Sequence, residues 1–281
     1  MKTALSRFLA ITLSLLMLFS LTACGNEPTT PENDSDPPQT GEVTPVKIAV
    51  NGKPARSVAV NWYYDEAIRT PYREFPFEEL VFQADAPDAL AGLADGTYDV
   101  AILPCVRGET PDFGTYDALP LLDDAIIFVH GNPTAENAGY DLALETIRAI
   151  YGDGGEFYWD EAQSEPLIPS FWFEDLAQPL DSLFGIESTA GGILSSEGYT
   201  NPIWAAQMNG LDGSPLFPVY HSFLGGDAGI NGVVISVDGV LPTESTIADG
   251  TYPLAISYYA VYAADNPNAS AVAAQLQIVA Q

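Results

Sequence analysis

From residue 46 onward, short apolar runs alternate with amphipathic segments, and this pattern predicts strands and helices in alternation. Strands are predicted at 46–50, 80–82 and 99–103. Between the last two, Asp85 and Pro87 occupy the cap and first turn of a predicted helix, and Gly96 ends it. A strand, a helix and a strand joined by short loops indicate a βαβ unit, and therefore a partly parallel sheet.

Asn51 and Gly52, directly after the first predicted strand, are compatible with two structures. Asn-Gly between two apolar runs is typical of a β-hairpin, in which 57–60 would form the second strand. Alternatively, the pair forms a loop between a strand and a helix at a ligand cleft. The pattern leaves both possibilities open.

The later part of the chain continues the alternation. A strongly apolar strand is predicted at 125–129, followed by a helix that Asp141 caps and Gly152 ends. The apolar face of this helix consists of Leu144, Ile147 and Tyr151. The segment 156–169 is aromatic, acidic and irregular. Further helices are predicted from near Pro179, at 203–208 and at 269–280, and further strands at 232–237 and 257–263.

The N-terminus has the features of a secretory signal, with two basic residues and an apolar run from 8 to 21 that contains no acid. The run Leu21-Thr22-Ala23-Cys24 resembles a bacterial lipoprotein lipobox. That resemblance implies that residues 1–23 are a lipoprotein signal peptide and that Cys24 is lipidated, which would anchor the chain at the extracytoplasmic face of the cell membrane. The alternative is an ordinary signal peptide that ends near a cysteine. Residues 24–45 are proline-rich and polar, and are predicted to be a disordered linker.

The chain is strongly acidic, with a formal net charge of −29. Loss of the predicted signal peptide removes two basic residues and no acid, which leaves −31. No Lys or Arg follows Arg148. Nucleic acid and anionic lipid surfaces are therefore excluded as partners, because both need clustered basic residues. We interpret the acidity as favouring solubility outside the cell.

The sequence offers little for catalysis or metal binding. His130 and His221 are the only histidines, and each is interpreted as a hydrogen-bonded residue at a strand end. Cys105 has no partner once Cys24 is assigned to lipid, so it is interpreted as a partly buried apolar residue. Trp159, Trp172 and Phe171 could stack on a ligand, but a core role is favoured. We expect no cofactor, no metal and no enzymatic activity.

The most specific stretch of the body is 237–254, which reads VDGVLPTESTIADGTYPL. It resembles the late signature of phosphate-binding lipoproteins that serve ABC importers, and shorter matches at 95–100, 126–133, 144–152 and 217–221 occur in the same order. The resemblance implies an α/β, two-lobed type II periplasmic-binding-protein fold with a cleft between lobes. It places lobe 1 at 46–118 plus 250–281 and lobe 2 at 119–249, and it implies a small-molecule solute, such as an anion, and an ABC permease as partners.

The phosphate site of that family is not preserved. The loop that would correspond to its Gly-Ser-Gly-Thr run is 176–182, where Pro179 has no N–H to donate and Asp181 adds a negative charge. We therefore transfer the fold and not the phosphate site, and expect phosphate to bind weakly or not at all.

Candidate ligand-binding residues are chosen for their positive charge or their hydrogen-bonding groups near the expected cleft. They are Lys53, Arg56, Ser57, Arg107, Ser182 and Tyr220. The sequence thus predicts a membrane-anchored solute-binding lipoprotein of uncertain ligand. The alternative is a degenerate domain of the same fold that acts as an extracellular sensor, adhesion or scaffold module.

Overall fold

The computed structural model describes residues 44–68, 70–131, 140–159, 161–195, 201–224 and 232–281. Contacts divide the chain into Met1–Glu42 and Val43–Gln281, and every described residue lies in the second unit. The predicted signal peptide, the lipidation of Cys24 and nearly all of the predicted linker lie outside the described residues.

The described part of the chain alternates strands and helices as the apolar pattern predicts. The strands are β1 (Ile48–Val50), β2 (Val81–Gln83), β3 (Val100–Val106), β4 (Asp117–Gly131), β5 (Asp141–Leu142), β6 (Phe157–Tyr158), β7 (Pro166–Phe171), β8 (Leu194–Ser195), β9 (Ser214–Tyr220), β10 (Gly232–Val234), β11 (Ser236–Val237) and β12 (Ala255–Tyr262). The helices are α1 (Gly52–Tyr64), α2 (Phe77–Leu80), α3 (Ala86–Asp95), α4 (Leu144–Gly152), α5 (Ala177–Phe184), α6 (Pro202–Met208), α7 (His221–Leu224), α8 (Glu244–Ala248) and α9 (Pro267–Ala280), with 3₁₀ turns at Pro71–Glu74 and Glu174–Leu176.

One mixed sheet contains most of these strands, in the order β2-β1-β3-β12-β4-β9-β7-β6, with β10 paired to β4 and β8 to β7. β5 and β11 form a separate two-stranded sheet. β1 is parallel to both β2 and β3, as the βαβ prediction requires. β7 and β9 form a second parallel pair. β12 and β4 run antiparallel to each other and lie between the two parallel parts of the sheet.

The long strand β4 connects the two parallel parts. It pairs with β12 as far as Ala125, and from Ile126 onward it pairs with β9. The partner therefore changes between adjacent residues, next to the buried Asp124. The lobe boundaries expected from the sequence, at 118/119 and 249/250, stay a prediction.

Both faces of the first parallel part are covered, because alternate strand residues point to opposite faces. Ile48 and Val50 of β1 pack into the main core with Trp62 of α1, whereas Ala49 packs into a smaller cluster with Ala89 of α3. No helix of the described residues is long and apolar enough to cross a bilayer; the longest, α9, has 14 residues.

Helix ends show where local sequence decides structure and where it does not. The Asp85 carboxylate accepts from the Asp88 N–H at 2.8 Å, and Gly96 ends α3 with a φ of 78°. Asp141, by contrast, does not cap α4, which contradicts the sequence prediction. Its carboxylate accepts from the Gly239 N–H, and the Leu144 N–H donates to Asp238 instead, at 3.0 Å.

The structure also decides between the two alternatives at Asn51-Gly52 and corrects the prediction for 156–169. Asn51-Gly52 is not a hairpin turn, because 57–60 lies inside α1 and buries Val58 and Ala59 on its apolar face. The alternative, a loop from strand to helix, is the one observed. The segment 156–169 is not irregular throughout, since β6 and the start of β7 pair there in antiparallel register.

His130 and Trp159 belong to the core of the second part of the sheet. The His130 ring is fully buried and stacks on Trp159 with the ring centroids 3.7 Å apart. His130 Nε2 lies 3.3 Å from the Glu165 carboxylate, and the Trp159 indole N–H donates to the Ser214 carbonyl at 2.9 Å. Burial lowers the pKa of His130 more than Glu165 raises it, so the ring is neutral near pH 7. These contacts agree with the structural roles expected for both residues.

Candidate functional site

The start of α1 lies at the carboxyl edge of the parallel strands. The Asn51 N–H donates to the Ile102 carbonyl of β3 at 3.1 Å, and its side-chain amide donates to the Ala84 carbonyl just beyond β2 at 3.3 Å. Open α/β sheets bind ligands at this edge. The first N–H groups of a helix have no partner within the helix, and the helix dipole adds a positive potential there.

Gly52 is required at this position for two reasons. Its φ is 82°, which L side chains rarely adopt, and a Cβ would collide with the Tyr220 hydroxyl and lie 3.2 Å from the Tyr258 hydroxyl. The two tyrosines come from β9 and β12, which lie on either side of β4. The first turn of α1 is therefore in contact with both parts of the sheet.

The Tyr220 and Tyr258 hydroxyls are buried, and neither has a hydrogen-bond partner in suitable geometry among the described residues. Burial raises the pKa of both, and the nearby acids Asp175 and Asp124 raise it further. The hydroxyls are neighbours, but a hydrogen bond between them would still leave one donor unused. Unpaired buried donors are costly, so the pair marks a place where a ligand acceptor would be favourable.

Asp124 fixes the junction behind these tyrosines. Its carboxylate accepts from the Ala125 N–H at 2.8 Å, from the Ser222 N–H at 3.0 Å and from the Ser222 hydroxyl at 2.6 Å. Burial raises the pKa of Asp124, and these three hydrogen bonds partly offset the increase. Because its acceptors are engaged, Asp124 holds β4 to the start of α7.

The loop between β7 and α5, residues 172–176, covers the start of α1 and is called the covering loop below. Lys53 Nζ lies 3.6 Å from the centroid of the Phe173 ring and 5.9 Å from that of Phe223. Such cation–aromatic contacts are attractive. The Gln178 side-chain oxygen accepts from the Asn51 amide at 3.1 Å. Burial raises the pKa of Asp175, while the positive charge of Lys53 and a hydrogen bond from its backbone N–H lower it.

An open cavity of about 300 Å³ adjoins this contact. Its lining is mixed, with apolar residues from α1, β4 and α9 and polar groups from α1 and α7; it includes Lys53, Ser57, Asn61, Leu122, Tyr220 and Ser222. The volume lies at the low end of the range for small-molecule sites. No group of three or more His, Cys, Asp or Glu residues in the described part of the chain could hold a metal ion.

The structure brings together three of the six candidate site residues. Lys53, Ser57 and Tyr220 line the cavity, and Arg56 lines an adjoining one with its guanidinium 5.5 Å from the Phe77 ring. Arg107 lies elsewhere. It donates to the Ala248 carbonyl at 2.7 Å and pairs with Asp123 at 2.7 Å, which ties β3 to α8 and β4.

The remaining candidate, Ser182, is exposed on α5 and accepts from the Gln178 amide at 3.1 Å. α5 begins at Ala177, so Pro179 and Asp181 are inside the helix and Asp181 is exposed. Asp175 lies in the loop before this helix. It was not predicted from the sequence as a site residue. Tyr258 and Asp124 were also missed, because nothing local distinguishes them from ordinary strand residues.

Solved structures share this architecture. An ABC-type phosphate transport receptor from Vibrio cholerae superposes with a TM-score of 0.59 and 16% identity, over 82% of this chain and 93% of that one. A putative phosphate ABC transporter substrate-binding protein from Clostridium perfringens, with bound phosphate, gives 0.55 and 13%, over 82% and 92%. The chain has the type II periplasmic-binding-protein fold.

This result confirms the fold class expected from the sequence. PstS from Borrelia burgdorferi gives a TM-score of 0.51 at 11% identity, over 83% of this chain and 92% of that one. No protein-family model matches the chain, and no curated protein matches its sequence. At such low identity the binding-protein fold is established, and the ligand is not.

Proposed function

We propose that the chain is a membrane-anchored, extracytoplasmic solute-binding lipoprotein that binds a small polar molecule at the N-terminus of α1. The observation that carries the proposal is the pair of buried tyrosine hydroxyls, Tyr220 and Tyr258, which lie against Gly52 and have no hydrogen-bond partner in suitable geometry other than each other among the described residues. The fold supports it, because proteins of this fold include substrate-binding proteins of phosphate ABC transporters. An ABC permease is the partner that this function implies.

A solute at this site would accept hydrogen bonds from the tyrosine hydroxyls and from the Gly52 N–H, because Pro54 has no N–H and the Lys53 N–H is engaged by Asp175. The adjoining cavity of about 300 Å³ sets the size of the solute. The proposed site comprises Lys53, Ser57 and Tyr220 from the candidates named above, with Asn51 and Tyr258 added. Arg56 lies at the rim of the proposed site. Arg107 and Ser182 lie outside the proposed site.

Ligand-dependent stabilisation tests this function. A solute that binds only the folded chain raises the free energy of unfolding by about 2.7 kcal/mol at a hundred times its Kd. We expect at least one small polar solute of a metabolite panel to raise the melting temperature, and Ser57→Trp to abolish that rise by filling the cavity. Ala274→Trp, at an exposed position of α9, is the matched control and should keep it. Equal responses of the two variants would place the site elsewhere.

The membrane anchor is proposed from the lipobox at 21–24. We expect the chain to fractionate with membranes in its bacterial host and mass spectrometry to find a diacylglyceryl group on Cys24. Cys24→Ser should release the chain into the soluble extracytoplasmic fraction, whereas Cys105→Ser, which changes the only other cysteine, should not. Soluble secretion of the wild-type chain with an unmodified N-terminus would contradict the anchor.

A second function, a domain of the same fold without a small-solute ligand, has one specific observation in its favour. The covering loop and the first turn of α5 already engage the start of α1, through Phe173 and Asp175 of the loop and Gln178 of the helix. Such a domain would act as an extracellular sensor, adhesion or scaffold module. It predicts that no solute of the panel changes the melting temperature of the wild-type chain or of Ser57→Trp.

A further inference from the structure

The covering loop places a carboxylate at the start of α1. Phe173 contacts Lys53 on one side of Asp175, and Gln178 accepts from Asn51 on the other. Because residues 173 and 178 are both fixed against 51–53, the intervening 3₁₀ turn Glu174–Leu176 is held over the first turn of the helix. The Leu176 side chain is fully buried in the main core, and this anchors the turn.

Asp175 is in contact with the groups that would hold an anion. The contacts of Phe173 and Gln178 with 51–53 hold Asp175 over the first turn of α1. Burial raises the pKa of its carboxyl group, and the charge of Lys53 and a hydrogen bond from the Lys53 backbone N–H partly offset that rise. The negative charge of Asp175 also raises the pKa of Tyr220, whose hydroxyl lies against Gly52. Helix N-termini bind anions through free N–H groups and the helix dipole. The carboxylate of Asp175 already interacts with an N–H group at this helix start and with the positive charge of Lys53.

We infer that Asp175 is the specificity-determining residue of this cleft: its carboxylate takes the position that an inorganic oxyanion would need, so the cleft excludes such anions and selects uncharged polar solutes. This inference rests on the proposed function. The rest of the chain supports it, because no Lys or Arg after Arg148 is available to offset a second negative charge at this point. A solute with neutral acceptor groups could still engage the Tyr220 and Tyr258 hydroxyls.

The test is a gain of binding. Inorganic phosphate, and separately sulfate, are titrated into the full chain by calorimetry at fixed ionic strength. We expect the wild-type chain to bind either anion at most weakly, and Asp175→Asn to bind at least about tenfold more tightly, which corresponds to about 1.4 kcal/mol. The matched control is Asp181→Asn, which removes the same charge from an exposed position of α5. It should behave as the wild type does.

Three results would overturn the inference. They are tight oxyanion binding by the wild-type chain, an unchanged affinity in Asp175→Asn, or an equal gain in Asp181→Asn, which would reflect net charge alone. Asp175→Ser provides a second variant if the asparagine variant does not fold. The outcome is separate from that of the proposed function, because the gain of anion binding does not depend on finding a solute for the wild-type chain.

Discussion

Gly52→Ala is expected to lower the free energy of unfolding by about 2–5 kcal/mol. The alanine would hold a left-handed backbone conformation, at about 1–2 kcal/mol, and its methyl group would overpack the tyrosine hydroxyls, at about another 1–3 kcal/mol. The backbone part follows from a φ of 82°, and the packing part from the contact with Tyr220 and Tyr258. Urea unfolding followed by circular dichroism measures the loss.

Gly96→Ala separates the two contributions. Gly96 has a φ of 78° and nothing within 4 Å of the position of a Cβ. That variant therefore carries the backbone cost without the collision, and should lose about 1–2 kcal/mol. Adding Tyr220→Phe to Gly52→Ala removes the colliding oxygen and should recover part of the difference, a coupling that a double-mutant cycle measures. Equal losses in Gly52→Ala and Gly96→Ala would show that the tyrosines are not packed against the helix start.

Features that depend on neighbours in the sequence could be predicted. The cap at Asp85 and the helix end at Gly96 follow from side-chain and backbone preferences within a few residues, and both are present. The parallel direction of β2 and β3, each of which pairs with β1, agrees with the βαβ unit predicted from 80–82 and 99–103. The fold class was predictable chiefly because the resemblance at 237–254 added information that the apolar pattern lacks.

Features that depend on distant residues could not be predicted. Asp141 has the composition of a helix cap, but the fold brings Asp238 to the start of α4, and Asp238 takes that role. Asn51-Gly52 has the composition of a hairpin turn, but burial of Trp62 and its neighbours on one face stabilises a helix there.

The candidate site shows the same limit more strongly. Lys53, Ser57 and Tyr220 could be predicted as site residues because each lies beside a recognisable strand end or loop, and all three line the cavity. Asp175 was missed because helix α5 begins at Ala177, earlier than the first expected helical residue, and this moves the covering loop toward the N-terminus. Tyr258 was missed because a tyrosine in an apolar strand normally belongs to the core. Only the position of its hydroxyl, next to Tyr220 and Gly52, indicates otherwise.

Substituting phenylalanine for three buried tyrosines should show, from the free energy of unfolding, which hydroxyls stabilise the fold and which are left unsatisfied at the proposed site. The Tyr151 hydroxyl donates to the Leu216 carbonyl at 2.8 Å and lies 3.1 Å from that of Ser170. Tyr151→Phe should therefore lower the free energy of unfolding by about 1–3 kcal/mol, because it removes a hydroxyl that donates a hydrogen bond inside the core. Tyr258→Phe removes a hydroxyl whose one neighbouring hydrogen-bonding group among the described residues is the Tyr220 hydroxyl, itself without a partner in suitable geometry. It should cost nothing, or raise the free energy of unfolding by about 1 kcal/mol.

The comparison is well matched, since the two rings are fully buried and the change is one oxygen atom in each case. Tyr220→Phe should resemble Tyr258→Phe in stability, and both should weaken the binding of any solute that stabilises the wild-type chain. A loss of stability in Tyr258→Phe as large as that in Tyr151→Phe would mean that the hydroxyl is already satisfied in the folded chain. The buried pair would then be part of the core, and the domain without a small-solute ligand would be the better account of this protein.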